Sequence, residues 1–336
     1  MDVNMKNGKV SESILKRSVF KQLHTRNDNV ILGPAIGQDC GAVKLSEDED
    51  AFVMSSLPVT ISFSSKQLMA QHGVNHAINN VATMGAKPTG ITVDLLIPTV
   101  ENEANLRELM KDIDAVCKER QITVLGGHTQ VTRAVKDIII TVTAFGTLSS
   151  KCLLKVSNIT PGMDIIMTKW AGLEGSALLA IEEEEALSKR YSVPFVNKAK
   201  AYIDYLSIES EAAVAAKSGA VAMHDVSQGG VFAALWELAE GSGVGLDIDM
   251  KKIPIRQETV EICEFFDINP YKLLGGGSLL IAATDGNKIV RAIEAAGGNA
   301  AVIGVTTSSN DRVLIQGDER RFLETAQTDE IYNIFK

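Results

Sequence analysis

The stretch Ile122-Thr123-Val124-Leu125-Gly126-Gly127-His128-Thr129 passes from an apolar, β-branched run directly into two glycines, a histidine and a hydroxyl side chain. The apolar run predicts a strand, and the glycine pair predicts a close backbone turn at its end. Backbone N–H groups exposed there, together with the Thr129 hydroxyl, can cradle the oxygens of a phosphate. A tight turn with a surface histidine explains the segment equally well, so the stretch alone does not decide a function.

Four other segments place glycine and small polar residues where a strand or helix has just ended. They are Gly33–Val43, which contains Gly37 and Asp39; Asn75–Pro88, which contains Asn79 and Asn80; Ala171–Ala177, which contains Gly175; and Met223–Gly230, which contains Asp225. Glycine lets the backbone approach a ligand closely. The last two segments each open a helix, whose free N–H groups favour an anion or a capping side chain. Asp225 therefore stands where either a magnesium ligand or a helix N-cap is expected.

The residues around these five segments predict a mixture of strands and helices. Strands are predicted at Ala51–Ser55, Ile91–Ile97, Ile122–Leu125, Ile138–Phe145 and Ile165–Thr168, and helices at Glu101–Arg120, Gly175–Ala186, Asn197–Lys217 and Val231–Glu240, with a loop at Met223–Gly230. In the first of these helices Leu106, Met110, Ile113 and Cys117 recur at helical spacing and form one apolar face. Strands and helices alternate too irregularly for a doubly wound parallel sheet, and mixed α+β sheets covered by helices fit better.

Length and the turn at Ser157–Gly162 together predict two domains. The 336 residues correspond to about two domains at roughly 100–200 residues each. We expect them at 1–156 and 157–336, because the charge and turn pattern changes after Gly146. Hydrophobic residues make up 45% and charged residues 22% of the chain, which is ordinary for a globular protein and excludes a disordered or fibrous one.

Charge and hydropathy exclude several classes of partner. The 42 acidic residues exceed the 33 basic ones, the net charge is −9, and no basic patch is visible, so no nucleic-acid partner is expected. Apolar stretches stay well below the roughly 20 residues of a membrane helix, and the first residues lack an export signal, so we expect a cytoplasmic protein with no membrane contact. The separated Cys40, Cys117, Cys152 and Cys263 predict buried thiols rather than a zinc site or disulfides.

Taken in order, the five segments resemble the aminoimidazole ribonucleotide (AIR) synthetase superfamily, the PurM-like ATP-binding proteins. The chain is most similar to the AIR-synthase-related, HypE-like branch that includes hydrogenase-maturation proteins. That likeness rests on Gly126–Thr129, Gly172–Gly175, Met223–Asp225 with Gly229-Gly230, and Ser242–Gly245. It covers nearly the whole chain, and the shared order of the motifs specifies the fold more closely than the activity.

The resemblance implies a two-domain α+β fold and an ATP-dependent reaction. The N-terminal domain would pair with a second copy so that their sheets form a β-barrel, and the C-terminal domain would be an α/β sandwich. ATP and magnesium would lie between the domains, and a phosphoryl group would pass to an amide or carboxylate oxygen of a small-molecule or protein carboxamide substrate. On this chain the resemblance assigns magnesium to Asp39 and Asp225, the nucleotide to Gly37, Asn80, Gly126, Gly127, Thr129 and Gly175, and catalysis to His128.

Three positions depart from the carboxylates that the resemblance leads us to expect. Gln38 stands where relatives have an acid, Leu57 where they have an aspartate before a proline, and Asn80 where they have the second residue of an Asn-Asp pair. Magnesium prefers charged oxygen ligands, so these changes weaken its site. They leave open a second interpretation, in which the chain is a non-catalytic dimeric relative that serves as a scaffold or maturation partner.

The last residues of the printed sequence bear on one activity within the superfamily. Relatives that dehydrate a carbamoyl group to a cyanide carry it on a terminal cysteine. This sequence ends Asn333-Ile334-Phe335-Lys336. On that basis the sequence predicts no cyanide-forming activity.

Overall fold

The computed structural model describes residues 8, 9, 14–25, 28, 30–32, 42, 43, 45–61, 63–325 and 328–335. They form two compact units, the first within residues 1–81 and 86–152 (unit 1) and the second within residues 82–85 and 153–336 (unit 2). Both units combine helices with mixed sheets, which confirms the predicted two-domain α+β architecture. Within the described ranges, no helix has both the length and the apolar character that a bilayer span requires.

Unit 1 is built on a five-stranded sheet in the order β1-β6-β5-β7-β4. Its strands are β1 (Gly8–Lys9), β4 (Ala51–Val59), β5 (Lys87–Pro98), β6 (Thr123–Thr132) and β7 (Ile139–Leu148), and a separate hairpin consists of β2 (Val30–Leu32) and β3 (Ala42–Val43). Strands β5 and β6 are parallel, and the other pairs are antiparallel. In one copy of the chain β1 and β4 are the two edges, so the described sheet is open rather than a closed barrel.

Two helices of unit 1 pack on the sheet, α1 (Lys66–Thr83) and α2 (Glu103–Arg120). At Gly73 a Cβ atom would lie only 2.8 Å from Val59 Cγ2 and 2.9 Å from Ile140 Cδ1, so α1 lies directly against the strands. Helix α2 begins after Asn102, whose side chain accepts the N–H of Asn105 at 2.9 Å. Its predicted apolar face is buried, which confirms the helical spacing read from the sequence.

Unit 2 is built on a seven-stranded sheet in the order β14-β13-β10-β12-β8-β11-β9. The strands are β8 (Asp164–Thr168), β9 (Ala220–Val226), β10 (Gly245–Asp249), β11 (Ser278–Ala283), β12 (Ala300–Thr307), β13 (Arg312–Gln316) and β14 (Glu319–Phe322). The pair β10 and β13 is parallel, and the remaining pairs are antiparallel. Strands β9 and β14 are its edges.

Unit 2 has helices α3 (Leu173–Glu182), α4 (Glu184–Leu187), α5 (Val193–Lys200), α6 (Glu209–Ser218), α7 (Gly230–Ser242), α8 (Gln257–Phe266) and α9 (Gly286–Ala295). Helix α7 packs on one face of the sheet and α6 and α9 on the other, whereas α3, α4, α5 and α8 pack mainly against one another. Along β11, Leu280 packs in the core that contains α7, whereas its neighbours Leu279 and Ile281 pack in the core that contains α6 and α9. This alternation is the period of a strand with both faces buried, and it explains why β11 is an uninterrupted apolar run.

Two predicted elements of unit 2 are wrong. Met223–Val226, expected in a loop, is the second half of β9 and pairs with β11; an edge strand tolerates its polar residues, His224 and Asp225, because one side of it is not covered by another strand. The helix expected over Asn197–Lys217 is broken by a 3₁₀ turn at Ala201–Tyr205. There Tyr202 turns into a core cluster with Trp170, a tertiary contact that overrides local helix propensity.

Candidate functional site

The glycine pair of unit 1 lies inside strand β6, whereas the sequence predicted that it would follow the strand. The pairing of β5 with β6 shifts by one residue between Ile91 and Thr92, which places Gly126 opposite Thr92. Gly127 has φ +143°, and a Cβ there would lie 1.9 Å from the carbonyl oxygen of Val93. A side chain at Gly127 would collide with β5, so this position requires glycine; the shift in register lies just before it, at Leu125.

His128 follows this irregularity and is exposed. Its Nε2 lies 3.2 Å from Oε1 of Gln130, and its register partner on β5 is Asp94, also exposed. An imidazole held beside an amide on a rigid strand can donate to or accept from a ligand, depending on its tautomer. The neighbouring Thr129 is buried.

Asn80 of α1 lies half-buried in unit 1 and donates through Nδ2 to Oγ of Ser55 on β4, at 2.9 Å. Leu57, two residues further along the same strand, is also half-buried. The predicted nucleotide contact at Asn80 is thus an amide already held by a hydroxyl, with no carboxylate at either Asn80 or Leu57. Gly37 and Asp39 lie outside the described residues, as do Gln38 and Cys40.

In unit 2, close packing at position 175 leaves room only for glycine. Its N–H donates to the carbonyl of Leu274 at 2.8 Å, and an added Cβ would lie 2.4 Å from Cγ of Leu273. The start of α3 therefore packs closely against the loop before β11. A role of Gly175 in nucleotide binding stays a prediction.

Asp225 lies on edge strand β9, half-buried, beside His224. The Nε2 of His224 lies 3.0 Å from Oε2 of Glu237 on α7. Burial lowers the pKa of His224, but the hydrogen bond to Glu237 and the negative charges of Asp225 and Glu237 outweigh it, so that the pKa is raised overall. Carboxylate and imidazole groups thus collect on this edge of the sheet.

A carboxylate that the sequence did not predict lies beside the start of α7. Of the two interpretations of Asp225, the N-cap is wrong: the cap position is Gly229, with φ +78°, and its own N–H donates to Oδ2 of Asp329 at 2.6 Å. Asp329 is buried, and burial raises its pKa to about 6 despite the N–H groups that it accepts. No local sequence signal predicts this contact, because Asp329 comes a hundred residues later in the chain.

A buried ion pair was also missed. Lys169 has φ +51° at the end of β8, and its Nζ lies 2.8 Å from Oε1 of Glu211 on α6. The same ammonium donates to the carbonyls of Ser207 and Gly277 at 2.7 and 2.8 Å. Burying a charged lysine costs desolvation free energy, and these acceptors together offset that cost.

Comparison with known proteins decides the family. The family model described as "AIR synthase related protein, N-terminal domain" matches residues 37–148. The model described as "AIR synthase related protein, C-terminal domain" matches residues 160–316. The chain belongs to the AIR synthase related family. This confirms the resemblance inferred from the ordered motifs.

Several proteins to which the chain is similar are hydrogenase formation or maturation proteins by name. A hydrogenase expression/formation protein of Methanocaldococcus jannaschii is 26% identical over 313 residues, which is 92% of this chain and 91% of that protein. The carbamoyl dehydratase HypE of Azotobacter vinelandii is 27% identical over 267 residues, 76% of this chain and 71% of that protein. The crystal structure of the hydrogenase maturation protein HypE in complex with ATP matches with a TM-score of 0.78 at 16% identity, over 97% of this chain and 98% of that one, and shows that the fold is shared.

Proposed function

We propose that this chain binds ATP and transfers its γ-phosphoryl group to an amide or carboxylate oxygen of a small-molecule or protein carboxamide substrate. The observation that carries the proposal is that an AIR synthase related chain shares its fold along almost its full length with a HypE solved with ATP. The carbamoyl dehydratase HypE relatives act on a carbamoyl group by name, which favours a carboxamide as the acceptor.

The residues of β6 supply the part of the reaction that positions and neutralises charge. The proposal assigns phosphate contact to the backbone of Gly126 and Gly127 and to the hydroxyl of the buried Thr129, as the resemblance implies. The absence of a side chain at Gly127 is itself explained by its close approach to Val93 of β5. The exposed imidazole of His128 would then orient the transferred group and offset the charge that develops on it. In unit 2 the proposal assigns nucleotide contact to Gly175.

For magnesium, the described donors fit only in part. In unit 2, Asp225 offers one half-buried carboxylate; in unit 1, Leu57 and Asn80 offer none, and the nucleotide phosphates would have to supply most of the oxygens. We assign Asp225 as a magnesium ligand, and the role of Asp39 stays a prediction. When bound, magnesium offsets the negative charge of the phosphates during transfer.

A homodimer belongs to the same proposal. The face of the unit 1 sheet that carries alternate residues of β4 exposes Phe52 and Met54, at 53% and 63% of their surface, and Phe52 stacks on Phe145 of β7 at 5.5 Å. Two exposed apolar side chains on the same face of an edge strand are typical of a surface that another chain covers. We propose that a second copy covers it, as the superfamily resemblance implies.

The test follows the oxygen atom of the acceptor. Carboxamides and carboxylates labelled with ¹⁸O at the acceptor oxygen are incubated with ATP, magnesium and the protein. Transfer breaks the β–γ bridging P–O bond to release ADP and forms a new P–O bond to the labelled oxygen. Attack of added ammonia on the activated carbon then forms a C–N bond and breaks the acceptor's C–O bond, so the released phosphate carries ¹⁸O, whereas direct hydrolysis of ATP by water gives unlabelled phosphate.

Matched variants locate the reaction on the chain. We expect His128→Gln to lower labelled-phosphate formation, and His24→Gln, which removes another exposed histidine of unit 1, to leave it unchanged. Calorimetry with a non-hydrolysable ATP analogue, with and without magnesium, measures binding separately. Binding without any phosphate release would favour the scaffold interpretation, and no binding at millimolar analogue would reject the proposal.

A further inference from the structure

Helix α1 carries a stripe of polar side chains that the proposed reaction does not use. His72, Asn75, His76 and Asn79 (the His/Asn stripe) follow one another at spacings of three, one and three, which places them on one face of the helix. All four are buried, with 3%, 2%, 4% and 1% of their surface exposed. The adjacent Gly73 points instead at the sheet. The stripe thus brings two imidazoles and two amides together in a buried position.

The two histidines of the stripe lie close together. Their ring centroids are 4.3 Å apart, and a ring nitrogen of His72 lies within 4.8 Å of one of His76. The ring of Phe63 packs against that of His72, with the ring centroids 5.3 Å apart. Two histidines four residues apart on one helix are also the spacing with which zinc-binding helices present two ligands to one ion.

We propose that His72 and His76 bind one divalent transition-metal ion of the Zn²⁺ or Ni²⁺ type, each through one ring nitrogen. Imidazole suits these ions, whereas Mg²⁺ prefers oxygen, so this site is chemically distinct from the proposed magnesium site. Zn–N bonds of about 2.0–2.1 Å in a tetrahedral arrangement bring the nitrogens to about 3.4 Å from each other. A small side-chain rotation closes that gap.

The neighbouring residues define what kind of site this is. Gly73 stands directly after His72, where the helical zinc hydrolases have the glutamate that serves as general base. The pair is therefore a binding site and not a hydrolytic centre. Asn75 has a separate structural role, since its Oδ1 accepts from Nε of Arg120 at 3.1 Å and its Nδ2 donates to the carbonyl of Gln71 at 2.8 Å.

Metal titration of the untagged full chain tests the proposal. Apo protein is titrated with Co²⁺, a spectroscopic substitute for Zn²⁺, and then with Zn²⁺ in competition. We expect about one equivalent of tight binding, which His72→Gln or His76→Gln weakens by at least the roughly 10–100-fold that loss of even an outer partner of a metal ligand costs. The matched control His24→Gln, which removes an exposed histidine of unit 1, should leave the affinity unchanged. Equal weakening in all three variants would overturn the assignment.

A second measurement does not depend on the variants folding. Cu²⁺ bound at one equivalent to wild-type protein with ¹⁵N-labelled histidine should show, in pulsed EPR, coupling to two imidazole rings. Coupling to one ring or to none would overturn the proposal, as would the absence of stoichiometric metal binding. Because no nucleotide is present in either experiment, the result is independent of the proposed phosphoryl transfer.

Discussion

The Oδ2 atom of Asp329 lies 2.6 Å from the backbone nitrogen of Gly229, at the first turn of α7. The other carboxylate oxygen accepts the N–H groups of Leu274 at 3.2 Å and of Ile331 at 2.9 Å. One buried side chain thus joins the short turn Glu330–Asn333 to the loop before α7 and to the loop before β11. A negative charge at a helix N-terminus is favourable, but here it is also desolvated.

The burial of the Asp329 carboxylate predicts an unusual pH dependence of the free energy of unfolding. Burial raises the pKa of Asp329 from 3.8 to about 6, so the folded chain binds this proton more tightly than the unfolded chain does. The contribution of the group to the free energy of unfolding is therefore fully present below about pH 4 and is lost as pH rises through 6, by an amount on the order of 3 kcal/mol at most. Urea unfolding at pH 7.5, 6 and 5 measures it. We expect the deficit of Asp329→Asn relative to wild type to grow as pH falls, and a deficit independent of pH would contradict the assignment.

The glycine pair of β6 offers a matched comparison. Gly127→Ala would bring a Cβ to 1.9 Å from the Val93 carbonyl oxygen at φ +143°, whereas at Gly126 the nearest such contact is 4.0 Å, to Cγ2 of Thr92. We expect Gly127→Ala to lower the free energy of unfolding by about 2–5 kcal/mol, and Gly126→Ala to be tolerated. Urea unfolding of both variants checks this, and equal stabilities would show that the strand irregularity carries no strain.

The ion pair of Lys169 and Glu211 should be costly to break on one side only. Lys169→Met leaves a buried carboxylate without its cation, and we expect a loss of about 3–5 kcal/mol. Adding Glu211→Gln should recover part of that loss, because the stranded charge is removed. The exposed pair of Lys189 and Glu185 is the control, and breaking it should cost no more than about 1 kcal/mol. Chemical unfolding of the single and double variants gives the coupling energy.

Thiol reactivity should separate the cysteines. Cys152 is exposed, whereas Cys117 and Cys263 are buried. Burial raises the pKa of the Cys263 thiol to about 12, with a further increase from the charge of Glu330, and burial likewise raises the pKa of the Cys117 thiol. Since the thiolate is the reactive form, a Cys40→Ser variant treated with a thiol reagent at pH 8 should react rapidly at one equivalent. Three fast equivalents would contradict the burial of the other two, and denaturant should expose them.

The exposed face of the unit 1 sheet predicts the oligomeric state. Met54→Lys would place a charge on that face, and we expect it to shift the protein from dimer to monomer. Val100→Lys is the control, since Val100 is even more exposed, at 86%, and lies beyond the end of β5. Light scattering coupled to gel filtration measures the mass. A wild-type monomer, or a dimer unaffected by Met54→Lys, would contradict the proposed pairing.

The sequence by itself determined the elements whose cause is local. The apolar period over Glu101–Arg120 was sufficient for α2, and the ordered glycine motifs were sufficient for the family, because helix periodicity and backbone freedom are properties of neighbouring residues. The same reasoning placed a loop at Met223–Val226, where the structure has an edge strand. The polar residues of an edge strand have the sequence pattern of a loop. Only the pairing with β11, which is distant along the chain, makes this segment a strand.

Only the tertiary structure decided which side chains complete the local motifs. The cap position of α7 is Gly229, which donates its N–H to Asp329, rather than Asp225, and the acid that balances Lys169 is Glu211. The two histidines of the His/Asn stripe were not predicted as a site, since the burial of a polar helix face depends on what packs around it. These contacts join residues that are distant along the chain, so their free energy is gained only when the whole fold brings them together. A pattern in neighbouring residues carries no record of it.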